Sequence, residues 1–74
     1  MGKELVGKKA TIAVEGLEDK GLHIEDNVEI LDQEEVEEEV LGETVRKVKI
    51  KVRHLDFEES EGWIDTSEVV NIRD

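Results

Sequence analysis

The run Lys47-Val48-Lys49-Ile50-Lys51-Val52-Arg53 constrains this chain more than any other stretch. Its aliphatic residues recur at every second position, and cations fill the positions between. A helix would scatter both sets around its surface. A strand sends successive side chains to opposite faces, so the run reads as a half-buried strand with a basic outer face. Shorter alternations repeat the signal: Ile12 with Val14, and Val28 with Ile30, while Val69 to Ile72 forms a last strand. Glycines at 16, 21, 42 and 62 divide these segments at turn-like spacing. The expected class is all-β.

The chain has 74 residues, enough for one domain, expected over 1–74 with its core in about 10–73. A domain this short buries only about 60% of the surface of its unfolded chain, so its interior is small. The absence of cysteine excludes disulfides and thiolate metal sites, and fits a reducing compartment. No run approaches the roughly 18 apolar residues of a membrane-spanning helix, and no apolar leader opens the sequence, so a cytoplasmic location is expected. There are 21 acidic against 10 basic residues, a formal charge of −11. Such a surface repels phosphate backbones and suits a protein with a basic patch.

Much of the acid lies in residues 32–45, an acidic loop or hairpin. Gln33 to Leu41 could form a short helix, since Val36 and Val40 are four apart, or stay a mobile loop. It could instead extend the Val28 strand to a turn at Gly42 and return as Thr44 to Arg53. Pairing about Gly42 sets Glu37 opposite Lys47, Glu35 opposite Lys49 and Val36 opposite Val48. That hairpin accounts for both the acidic run and the lysines, and is preferred, because opposite charges across strands attract.

Two stretches together resemble an SH3 domain, the bacterial type most closely. Leu22-His23-Ile24-Glu25-Asp26-Asn27-Val28-Glu29-Ile30-Leu31 is similar to that family's apolar residue, turn and Val-x-Val strand, with Glu25 where the family usually has glycine. Gly62-Trp63-Ile64-Asp65-Thr66-Ser67-Glu68-Val69-Val70 is similar to its closing strand, short 3₁₀ turn and final strand. Asp65 suits the start of such a turn, where a carboxylate accepts orphan backbone N–H groups. The resemblance implies a small SH3-like barrel of five to six strands. It also places the rings of a polyproline groove in the first strand, after the acidic loop and in the closing turn. Here the first strand is Ala10-Thr11-Ile12-Ala13-Val14, and Asp65 and Glu68 replace the groove's proline and tyrosine. That groove cannot be built from these residues.

Nothing in the sequence assembles a catalytic constellation, metal site or cofactor site, so a non-enzymatic role is expected. His23 and His54 are the only imidazoles and read as solvent-facing strand or turn residues. The oxygen-rich loop His54 to Gly62 lacks the full calcium-loop pattern and reads as a solvated turn. Trp63, beside inward Ile64, is expected outward or at the rim, as a partly buried plug or an interface anchor. The candidate partner contacts are Trp63, Glu35, Glu37, Glu38, Glu39, Glu58, Glu59 and Glu61. They suit an interaction module acting through protein–protein contacts, with self-association through a free strand edge also open. The alternatives are a KOW- or Tudor-like barrel near nucleic acid, whose only basic feature is Arg46, Lys47, Lys49, Lys51 and Arg53, or an acidic DNA mimic.

Overall fold

The alternating segments all become strands. A computed structural model describes residues 4–74 as β1 (Lys9–Ile12), β2 (Asn27–Val40), β3 (Glu43–His54), β4 (Glu61–Asp65) and β5 (Val69–Arg73). Two single 3₁₀ turns, Glu18–Lys20 and Thr66–Glu68, complete the regular structure. All pairings are antiparallel, in the order β4-β3-β2-β1-β5. The sheet is open, with β4 and β5 as its edges, so the expected closure into a barrel is not seen in its hydrogen bonding.

One face of this sheet carries the core. Ala10 and Ile12 of β1, Val28 and Ile30 of β2, Ile50 and Val52 of β3, and Ile64 of β4 are buried together, with Leu17, Leu22 and Val69 closing the cluster. Alternation explains the choice: in β1, β2 and β3 the buried residues are two positions apart, and Ile64 lies directly across the ladder from Ile50. Val14 lies past the end of β1 and packs on the core half-buried.

Two local devices decide which residues of β2 share that face. The first is a bulge between Ile30 and Asp32, where Leu31 is the extra residue. Without it, Asp32 and Glu34 would follow Ile30 onto the core face. With it, Gln33 lies opposite Ile50, is 7% exposed, and accepts a hydrogen bond from Leu5 N–H through Oε1 at 2.9 Å. A neutral amide thus ends the core where a carboxylate would have stood unsolvated.

The second device is the turn. Leu41 and Gly42 have φ of 53° and 83°, both in the left-handed region, as a two-residue type I′ hairpin requires. Val40 therefore pairs with Glu43, and the register runs Glu39↔Thr44, Glu37↔Arg46, Val36↔Lys47 and Glu35↔Val48. The expected hairpin is present: residues 33–40 are strand, and Leu41 begins the turn. Its expected register is wrong by one residue, because the turn pivots on the Leu41–Gly42 peptide and not on Gly42. Val36 consequently faces Lys47, not Val48, and Glu35 faces Val48, not Lys49.

Beyond Gln33 the β2–β3 pair continues as a two-stranded arm, since β1 pairs with β2 only from Asn27 to Glu29 and β4 reaches β3 only at Lys49. Leu41 at its tip is 99% exposed. Leucine is a poor occupant of a left-handed position, which costs a non-glycine residue about 1–2 kcal/mol. Glu25, at φ 75°, carries the same strain where the chain turns into β2. Asparagine tolerates the left-handed region better, and glycine removes the strain at some cost in unfolded-state entropy. Leu41→Asn and Glu25→Gly should therefore each raise stability by about 0.5–1 kcal/mol in urea denaturation. An unchanged or lowered midpoint would contradict the backbone assignment at that turn.

Candidate functional site

The basic stripe of β3 is the longest run of alternating cations among the described residues. Each of its cations already lies near a carboxylate. Arg46 Nε is 3.4 Å from Glu37, Lys47 Nζ is 3.1 Å from Glu38, and Lys49 Nζ is 3.9 Å from Asp65. Lys51 Nζ is 3.6 Å from Glu61, and Arg53 is 3.7 Å from Glu29. Neutralisation was expected from Glu35 and Glu37. Glu37 takes part, but Asp65 and Glu61 of β4, Glu29 directly across from Arg53, and Glu38 diagonal to Lys47 supply the rest. The hydrogen bond from Lys47 to Glu38 raises the lysine's pKa above its ordinary value. Exposed pairs of this kind contribute about 0–1 kcal/mol each, so they select neighbours more than they stabilise.

The register separates the candidate contact residues onto two faces of the arm. Glu35, Glu37 and Glu39 share a face with Thr44, Arg46 and Val48, continuous with the core face. Glu38 lies on the other face, with Glu34, Val36, Val40, Val45 and Lys47. Glu61 and Trp63 join that outer face from β4, opposite Arg53 and Lys51. Glu58 and Glu59 are exposed in the β3–β4 loop. The eight residues do not converge on one pocket.

Trp63 is 41% exposed beside buried Ile64, as the alternation of β4 expects. Its outer-face neighbour across the ladder is Lys51. The other large ring, Phe57, is 55% exposed in the loop and packs against His54, ring centroids 4.8 Å apart.

His54 corrects the reading of it as solvent-facing: it is 9% exposed. The signal was available, since His54 continues the parity of Ile50 and Val52. Its Nδ1 accepts a hydrogen bond from Asp56 N–H at 2.9 Å, which leaves the proton on Nε2, 3.5 Å from Asp26 Oδ2. The same Asp26 oxygen accepts from His23 N–H at 2.8 Å. His23 itself is exposed, as expected. These groups fasten the turn before β2 to the end of β3. Among the described residues no three His, Cys, Asp or Glu side chains are grouped to hold a metal ion.

The second 3₁₀ turn is closed by a reciprocal cap. Asp65 Oδ1 accepts from Ser67 N–H at 3.1 Å, and Glu68 Oε1 accepts from Asp65 N–H at 2.8 Å. The Ser67 N–H, with lesser help from its hydroxyl and from Lys49 and Lys47, holds the Asp65 carboxyl below its ordinary pKa. A carboxyl with a depressed folded pKa stabilises fully above its unfolded value, and that contribution is lost as pH falls through the folded one. Asp65→Asn keeps an acceptor at the cap but cannot ionise. Urea denaturation from about pH 6 down to about pH 2 should show a shallower acid loss of stability in the variant than in the parent. Identical acid limbs would contradict the role given to the charge.

No family model, curated protein or solved structure matches the chain.

Proposed function

We propose that this chain is a non-catalytic interaction module of SH3-like architecture that binds a basic surface of another protein. One observation carries the reading: a two-stranded arm extends past the core and bears Glu34, Glu35, Glu37, Glu38, Glu39 and Glu43 against only Arg46, Lys47 and Lys49. The surplus of carboxylate is concentrated where the chain has least interior to stabilise. Natural selection for folding alone gives no reason to lengthen a hairpin past its core, because an isolated two-stranded ribbon is marginal in water.

The SH3-like part of the reading is supported by the strand order β4-β3-β2-β1-β5 and by the capped 3₁₀ turn directly before the last strand. The same turn argues against a polyproline ligand. Asp65 and Glu68, which stand where the resemblance would place groove residues, are committed to capping each other's backbone. Among the described residues Trp63 has no aromatic partner. Nucleic-acid binding is disfavoured by the pairing of every cation in the β3 stripe and by the net charge of −11.

The test is capture by the immobilised full chain at low and at high salt, beside a charge-reversed arm, Glu35→Lys with Glu38→Lys and Glu39→Lys. The reading predicts recovery of a basic protein that falls with added salt and is lost with the reversed arm. Equal recovery by both chains, or recovery indifferent to salt, would overturn it.

A further inference from the structure

Strand edges differ in what they leave unpaired. In an antiparallel pair the opposed residues alternate between those that exchange both backbone hydrogen bonds and those that exchange none, and the pair closing a two-residue turn is of the first kind. Val40↔Glu43 closes this turn, so Glu38↔Val45, Val36↔Lys47 and Glu34↔Lys49 carry the ladder. The N–H and C=O groups of Glu35, Glu37 and Glu39 therefore point away from β3, along the outer edge of β2. The chain before β1 accompanies that edge only as far as Gln33, through Gly7 N–H to Ile30 O and Leu5 N–H to Gln33 Oε1. Beyond it, among the described residues, nothing pairs with the edge.

The opposite edge of the arm is in a different state. Along β3 the second 3₁₀ turn lies alongside, and Lys47 and Lys49 reach Asp65 of its cap at 4.0 and 3.9 Å. Every cation on that strand is within 4.0 Å of a carboxylate. On β2, by contrast, Glu34, Glu35 and Glu39 have no cation within salt-bridge distance among the described residues. Charge thus distinguishes the possible occupants. A second copy offering β2 would set glutamate against glutamate, and one offering β3 would bring cations that are already paired.

We propose that the β2 edge from Glu35 to Glu39 takes up an extended segment of another protein in which basic and apolar residues alternate. Directly opposed residues share a face. Basic residues of the incoming strand lie with Glu35, Glu37 and Glu39, and its apolar residues lie with Val36 and Val40 on the other face. The backbone groups of the three glutamates supply the ladder, and unpaired carboxylates select the sign of the partner. This deepens the proposed interaction role and rests on it.

The probe is a short synthetic peptide of alternating lysine and valine, titrated into the isotope-labelled full chain and read by amide shifts and hydrogen exchange. Free chain should exchange the Glu35, Glu37 and Glu39 amides rapidly, and bound chain about tenfold more slowly or better. The same peptide N-methylated at its lysines keeps its charge but cannot donate, and should bind about tenfold more weakly. Glu35→Lys with Glu39→Lys, two exposed substitutions, should weaken binding about fivefold or more with the amide spectrum otherwise intact. Equal binding of the N-methylated peptide, with shifts spread over the acidic surface, would overturn strand addition while leaving salt-dependent capture standing. Amides already protected in the free chain, or no binding of either peptide, would overturn it as well. Loss of capture without any change in peptide binding would count against the interaction role and not against the edge.

Discussion

The antiparallel ladder between β2 and β3 is the interaction on which the other features depend. It brings Val28 and Ile30 onto Ile50 and Val52, the centre of a small aliphatic core, and it carries the strands that β1 and β4 then join. Side chains alternate with a period of two, so a ladder shifted by one residue would move every side chain of one strand to the other face. The bulge at Leu31 and the turn at Leu41–Gly42 hold this parity from the two ends. Between them they determine that a glutamine, not an aspartate, meets the end of the core.

The energetic division follows from burial. Ten aliphatic residues are buried among those described, and removing most of one such side chain costs about 2–5 kcal/mol, a large share of a small domain's stability. The exposed ion pairs of the β3 stripe contribute far less. They leave the basic stripe neutral and the β2 edge negative. The arm adds little to the core, so folding constrains its sequence least.

Much of this was legible in the residues. Alternation in Lys47–Arg53 identified β3 and its two faces, Asp65 before Thr66-Ser67-Glu68 identified the capped turn, and opposing charge favoured the long hairpin over a helix. The register was not legible, because leucine gives no sign of a left-handed turn position and the alternative pivot at Gly42 matches charges equally well. Leu31 gives no sign of a bulge either: alternation precedes it, the polar run 32–35 after it has no period to reveal a shift, and only the collision of acid with core forces the extra residue. His54 was legible and passed over, since its parity with Ile50 and Val52 places it inward. Openness of the sheet depends on how strands curl in three dimensions, which no local pattern records. For the candidate contact residues, the division between two faces depended on the missed register.

Cross-strand Hα–Hα contacts test the account at its centre, because in an antiparallel pair they are shortest between residues that exchange no hydrogen bonds. Nuclear Overhauser spectra of the full chain should show them between Glu35 and Val48, Glu37 and Arg46, and Glu39 and Thr44. Contacts between Glu35 and Lys49 or Val36 and Val48, or sequential amide contacts of a helix through Gln33–Leu41, would contradict it.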